Sequence, residues 1–244
     1  VAKSAPDGYT LLMMSNAQAV NESLIPNRPF NLIKDFAPIA PINYSDLVLV
    51  ANPNVPAQNL PEFIKYVKAH PGKVNYASSG NGTPYHMAGE LFKYMAKVDM
   101  VHVPYRGAAP ALTDLMAGHV QLSCVAAPAV QSFARSGKVR AIGVTTRQRT
   151  ALAQDVPAIA ETVAGYELVG WYGLLAPLGT PRAIVEKIHT AISRALKTPE
   201  VQERLVSVGA EAVESSPRAF TQFLRSETVR WGKVLKEAGI KPAP

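Results

Sequence analysis

Short apolar runs alternate with amphipathic segments along most of the chain. Residues 9–14 and 47–51 are short and mostly apolar, which predicts buried strands, while residues 60–67 carry apolar side chains at helical spacing. The same alternation continues to residue 145. It predicts strands at 74–78, 100–104, 120–125 and 139–145, and helices at 84–97, 110–117 and 128–135. This order is typical of an α/β fold with parallel-rich sheets flanked by helices.

The last third of the chain has a different pattern. Residues 168–176 predict a strand, and a helix is expected to follow with Thr180 as its N-cap and Pro181 at its first position. Two further helices are predicted. They span residues 199–208 and 217–238, the second with Ser216 as its cap.

Two segments of the chain are predicted to form separate lobes. Residues 52–167 form a self-contained α/β pattern inserted between flanking segments, and we place this second lobe at 46–169. Residues 1–45 and 170–244 then make the first lobe. Two extended crossings between lobes predict a cleft suited to closure around a ligand.

Composition and charge exclude several classes of protein. The 244 residues are 48% hydrophobic and 18% charged, and no apolar run is long enough to span a membrane. The net charge is +7, but the basic residues are scattered and aromatics make up only 7%, which argues against nucleic-acid binding. A positive field is compatible with anionic small molecules. The single cysteine, Cys124, excludes an internal disulfide framework.

The segment 78–86 lies between a predicted strand and a predicted helix. Gly80 and Gly82 allow the backbone to approach a ligand, and Thr83 stands at the helix start, where free N–H groups and the helix dipole favour an anion. An ordinary strand–helix turn with a threonine N-cap explains the same residues equally well.

The segment 105–110 repeats this arrangement after the next strand, with Arg106, Gly107, Ala108 and Ala109 before a proline. Helix starts that follow adjacent parallel strands lie at one edge of a sheet. The repetition therefore favours an anion site, in which Arg106 either contacts the ligand or lies at the rim.

Polar and aromatic residues of the first lobe provide further candidates. Ser15, Asn16 and Ala17 follow the first apolar strand, and Tyr172 lies with Trp171 in the second crossing strand. Aromatic residues in such a strand are more often part of a core than of a binding site.

Enzymatic chemistry has little support in the sequence. No pair among the five histidines has the spacing of a helical metal site, and neither a nucleophile elbow nor a phosphate-binding P-loop is present. Cys124 lies in an apolar strand, as a small core residue would. We therefore predict no catalytic residues, no metal and no cofactor.

Five stretches of the sequence resemble the receptors of tripartite tricarboxylate transporters, also called Bug-type solute-binding proteins. They are residues 5–11, 80–86, 103–107, 111–115 and 171–181, and the similarity covers essentially the whole chain in order.

This resemblance implies a two-lobed periplasmic-binding-protein-like fold, type II-like, whose lobes are joined by two crossing strands. It implies a periplasmic protein that captures a dicarboxylate, tricarboxylate, acidic amino acid or aromatic acid and delivers it to a membrane permease. The binding turns of the family match this sequence at Gly82, Thr83, Ala108 and Ala109. His86 matches a family histidine that is expected to support the first of these turns.

The residues at 15–17 match family contacts of the first lobe. The family also implies a strand, a loop and a helix before residue 5, so we expect the N-terminal part of the first lobe to be incomplete. An enzyme acting on a small carboxylate in the same cleft, or a truncated interaction module that binds no ligand, remain alternatives.

Overall fold

A computed structural model of the chain describes residues 1–25, 27–150, 153–207 and 209–237. The strands are β1 (Leu12–Ser15), β2 (Phe36–Ser45), β3 (Leu47–Ala51), β4 (Asn75–Ser78), β5 (Val101–Pro104), β6 (Leu122–Ala126), β7 (Arg140–Val144), β8 (Gly170–Pro177) and β9 (Ala210–Ala212). The α-helices are α1 (Asn16–Leu24), α2 (Leu60–Ala69), α3 (Pro84–Ala96), α4 (Ala108–Ala117), α5 (Ala127–Arg135), α6 (Arg182–Leu196), α7 (Pro199–Ser207) and α8 (Pro217–Glu237).

These elements belong to two units. The first unit comprises Val1–Tyr44 and Gly170–Pro244, and the second comprises Ser45–Val169. Each unit is built around its own sheet with helices packed beside it, as the alternating pattern predicts.

The first unit contains a four-stranded sheet in the order β1-β8-β2-β9. β1 runs antiparallel to β8, which places Ser15 opposite Tyr172. Trp171 and Phe220 are buried against this sheet, with their rings 6.2 Å apart and edge to face. A Cβ at Gly173 would lie 2.2 Å from the Phe220 ring, so glycine is required for this close approach.

The second unit contains a five-stranded sheet in the order β5-β4-β6-β3-β7. β4 is parallel to β5 and β6, while β3 is antiparallel to both of its neighbours, so four of the five strands share one direction. All five side chains of β3 are buried. The core of this second unit also includes Val125 and Val144 from the strands beside β3, and Leu112 and Leu115 from α4.

Several predicted boundaries differ from the structure. β1 begins at Leu12, since the Tyr9 N–H donates to Asp7 Oδ1 at 3.0 Å and this turn leaves Tyr9 exposed. The prediction of Thr180 as an N-cap is wrong. Its hydroxyl donates to the Pro177 carbonyl at 2.8 Å, and Pro181 takes the cap position of α6. The Ser216 cap is confirmed by its bond from the Ala219 N–H, and residue 238 lies outside the described residues.

Candidate anion-binding site

The turns after β4 and β5 lie side by side at one edge of the second unit's sheet. The parallel register pairs Ser78 with Pro104, the last residues of the two strands. The Tyr105 N–H donates to the Ser78 carbonyl at 3.0 Å. A Cβ at Gly80 would lie 3.5 Å from the Tyr105 carbonyl oxygen, so the two turns lie close together.

The turn before α3 uses most of its own polar groups. The Gly82 N–H donates to His86 Nδ1 at 3.0 Å, and the His86 N–H donates to Thr83 Oγ1 at 3.4 Å. The Thr83 hydroxyl and N–H both donate to the Gly80 carbonyl, at 2.8 and 3.4 Å. Gly80 and Gly82 have φ values of +128° and +73°, a region that favours glycine. Gly82, Thr83 and His86 therefore shape this turn and leave it few open donors.

Two stacked imidazoles lie behind this turn. The rings of His86 and His102 are 3.9 Å apart and nearly parallel, and His102 Nε2 is 2.7 Å from Ser78 Oγ. Burial lowers the pKa of His86. Burial, with smaller contributions from His86 and Lys93, also lowers the pKa of His102 to about 3. Both rings are therefore neutral near pH 7.

A buried polar chain continues from the imidazoles into α3. The Tyr76 ring stacks on His102 at 4.9 Å, and its hydroxyl donates to Glu90. Lys93 Nζ pairs with Glu90 Oε1 at 3.0 Å. Burial and the adjacent Glu90 raise the pKa of Tyr76. Every member of this chain has a protein partner, so it supports the turn without offering a reactive group.

The start of α4 has open donors. Gly107 is its N-cap with φ +118°, and no side chain caps the helix. Within the described ranges, the N–H groups of Arg106, Gly107, Ala108 and Ala109 have no hydrogen-bond acceptor. The helix begins two residues before the predicted Pro110, which places Ala108 and Ala109 in its first turn. Free N–H groups and a dipole equivalent to about +0.5 charge favour an anion here.

The start of α5 lies at the same edge, because β6 is parallel to β4. Its first two donors are occupied: the Ala126 N–H donates to the Tyr85 hydroxyl and the Ala127 N–H to the Asp46 carbonyl, both at 3.2 Å. Residues 126–128 repeat the Ala-Ala-Pro of residues 108–110, but this helix start was not among the predicted site residues. Of the three helix starts at this edge, only that of α4 has no acceptor for any amide of its cap and first two helical residues, within the described residues.

Arg106 is exposed, and its guanidinium forms no ion pair with any described residue. The neighbouring Tyr105 hydroxyl donates to Asp114 Oδ2 at 2.6 Å, and this bond lowers the pKa of Asp114. The Arg106 guanidinium is thus available to a ligand, while the carboxylate of Asp114 is engaged by Tyr105.

The first-unit candidates lie together at one end of β1. Ser15 caps α1, with its hydroxyl accepting from the Ala17 N–H at 3.3 Å and its N–H donating to Gln18 Oε1 at 2.8 Å. Tyr172, opposite Ser15, is 44% exposed. Asn16 is 1% exposed, and its Oδ1 has no donor within the described part of the chain.

The structure offers little for catalysis in the residues it describes. Burial raises the pKa of the Cys124 thiol, which disfavours the nucleophilic thiolate. Across residues 1–25, 27–150, 153–207 and 209–237, no cluster of three His, Cys, Asp or Glu could hold a metal. No helix in those ranges is both long and apolar enough to cross a membrane.

Comparison with known proteins assigns this arrangement to a family. A family model described as "Tripartite tricarboxylate transporter family receptor" matches residues 1–240. The chain is 36% identical to the protein BugT of Bordetella pertussis over 245 residues, covering 98% of this chain and 74% of BugT. It is 35% identical over 239 residues to a protein from the tcbD-tcbE intergenic region of Pseudomonas sp. strain P51, with 97% and 71% covered.

Solved structures agree with this assignment. An R. palustris protein solved with adipate has a TM-score of 0.90 and 33% identity, over 100% of this chain and 82% of that one. The periplasmic binding protein BugD has a TM-score of 0.88 and 31% identity over the same shares. MatC from Rhodopseudomonas palustris, with bound malate, has a TM-score of 0.85 and 33% identity, over 96% and 82%.

Proposed function

Because the chain belongs to the tripartite tricarboxylate transporter receptor family, of the Bug type, we propose that it is a periplasmic receptor for a small organic acid. In this proposal the protein captures a carboxylate without altering it and delivers it to the permease subunits of its transporter. The relatives solved with adipate and malate support a dicarboxylate as the ligand.

The observation that carries the proposal is the open start of α4. A carboxylate needs several donors in a small volume, and the N–H groups of Gly107, Ala108 and Ala109 provide them without a charged partner that must be displaced. The exposed Arg106 side chain adds a positive charge beside them. At the neighbouring starts of α3 and α5, amide donors are already taken by the His86 and Tyr85 side chains and by the Asp46 carbonyl. We therefore assign one carboxylate group to the second unit, at α4.

The ligand contacts predicted outside the α4 start remain predictions. The proposed ligand contacts of the first unit are Ser15, Asn16, Ala17 and Tyr172. Among them, the buried Oδ1 of Asn16 accepts no hydrogen bond from any described residue. Gly80, Gly82 and Thr83 are proposed to form the wall beside α4 rather than its main donors.

Removing one α4 donor tests this assignment. Ala108→Pro eliminates a single N–H at the first helical position, where proline fits the backbone. Loss of a charge-assisted hydrogen bond predicts affinity at least about tenfold weaker for the best acid in a calorimetric panel including adipate, malate and succinate.

Ala108→Ser retains the N–H and is the matched control, expected within about threefold of wild type. Equal affinity of the Pro and Ser variants would remove the α4 start from the site. Failure of every acid to bind or to stabilise the wild-type protein would refute the receptor function itself.

A further inference from the structure

The buried carboxylate of Glu227 binds both tryptophans of the chain. Glu227 lies on α8 in the first unit and is 8% exposed. Its Oε2 accepts the indole N–H of Trp171 at 3.3 Å and that of Trp231 at 3.1 Å, while Arg230 donates to its Oε1 at 3.2 Å. We infer that Glu227 is a positioning residue for ligand capture: it fixes Trp171, so that the adjacent Tyr172 is held in place to contact the ligand. This inference rests on the proposed function.

The two indole N–H groups need an acceptor inside the protein. Each tryptophan is 1% exposed, so its N–H is largely withdrawn from water. A carboxylate is a stronger acceptor than a neutral group, and Arg230 offsets its charge. Burying such a pair stabilises a fold little compared with apolar side chains of similar volume. The carboxylate is therefore better explained by the fixed direction that its hydrogen bond gives to the indole of Trp171.

Helix α8 holds β8 on both sides of Tyr172. The Trp171 ring packs edge to face on Phe220 and Phe223, with ring centroids 6.2 and 5.2 Å apart. Gly173 lies so close to the Phe220 ring that a Cβ there would be 2.2 Å away. Because side chains alternate along a strand, Tyr172 faces the other side of β8, where it is 44% exposed.

Tyr172 lies beside another proposed contact of the first unit. The register of β1 and β8 places it opposite Ser15, the residue that caps α1. Side chains that bind a ligand must be held within about 0.5 Å of the productive geometry, by packing and by hydrogen bonds behind them. Glu227 supplies such a hydrogen bond to the residue next to Tyr172 without touching the ligand itself.

Two matched substitutions separate positioning from packing. Trp171→Phe and Trp231→Phe each remove one indole N–H from the same carboxylate oxygen, at positions of equal burial. Only Trp171 is adjacent to Tyr172. In calorimetry with the best acid of the panel, affinity should fall about five- to tenfold in Trp171→Phe and stay within about twofold of wild type in Trp231→Phe. Both variants should unfold at lower urea concentration.

Substitutions of Glu227 test the acceptor itself. Glu227→Leu removes both oxygens, and we expect carboxylate affinity to fall about tenfold or more. Glu227→Gln keeps one carbonyl oxygen for the indoles and should recover most of that loss. When Tyr172→Ala is already present, Glu227→Leu should cost little further affinity, because residues that act through one contact are not additive.

The unliganded protein provides a further readout, since both indole N–H proton signals should move upfield in Glu227→Leu. The inference would be overturned by equal affinity losses in the two tryptophan variants, by wild-type affinity in Glu227→Leu, by a full further loss in the double variant, or by unmoved indole signals. If Glu227→Leu does not fold, the two tryptophan variants decide the question. A wild-type protein that binds no acid would instead refute the proposed function, on which the inference rests.

Discussion

Single residues at this site act mainly through their backbone N–H groups. Whether such a group can meet a ligand depends on whether a protein acceptor already occupies it. Gly82 gives its N–H to His86, Ala126 gives its N–H to Tyr85, and Ala108 keeps its N–H open. Two side chains in the first turn of α3 thus occupy two of these amides, and no side chain occupies the third. The family likeness indicated that His86 supports its turn, but sequence spacing could not show that the stacked His102 lies behind it, sixteen residues further on.

The stacked pair of His86 and His102 is expected to make the folded protein less stable in acid. The pKa of His102 is lowered to about 3 in the fold, against about 6.5 in an unfolded chain. Between these values the unfolded state binds a proton that the native state does not, so the free energy of unfolding falls as pH decreases from about 6.5 towards about 3. Urea unfolding at a series of pH values should show this decline.

His102→Asn should flatten part of the decline, whereas His70→Gln, at an exposed position of the same unit, should leave it unchanged. If wild type and His102→Asn had identical slopes over this range, the neutral imidazole pair would not be a property of the native protein.

Helix starts are the elements on which the account depends. The alternating pattern predicted the strand–helix order around α3, α4 and α5, because each strand is a short apolar run and each helix has a clear beginning. The pattern could not show that β3 is antiparallel to its neighbours, since its five buried residues look the same in either direction. It also could not show which starts are closed, because Tyr85 and Asp46 reach α5 from distant positions in the chain.

Gly107 is the residue whose conformation opens the α4 start. Its φ of +118° favours glycine, and a Cβ there would meet no atom within 4 Å, so Gly107→Ala tests backbone strain alone. We expect a loss of about 1–3 kcal/mol in the free energy of unfolding and weaker carboxylate binding, because the first amides of α4 would reorient.

Gly137→Ala is the matched control, since Gly137 also has a positive φ (+71°) and open space but follows the end of α5. Denaturant unfolding and calorimetry of both variants give the comparison. If both variants lost carboxylate affinity, or neither did, binding would not depend on the conformation of Gly107, and the prediction would be wrong.

At the scale of the whole molecule, family membership and the site geometry support each other. Motifs spread over the full chain identified the family, which the match over residues 1–240 and the TM-score of 0.90 confirm. The same motifs marked the turns at 80–86 and 103–107 without distinguishing their roles. The structure assigns shaping bonds to the first turn and open donors to the second, a difference that depends on the Thr83 and His86 side chains of the first motif.

The most direct test of this account is a ¹⁵N–¹H amide spectrum recorded while the tightest-binding dicarboxylate is titrated into the protein. The account predicts that the amides of Gly107, Ala108 and Ala109 show the largest saturable shifts, and that those of Gly82 and Ala127 move little because their acceptors belong to the protein. Saturable binding that leaves the three α4 amides unmoved, or that shifts Gly82 most, would contradict it.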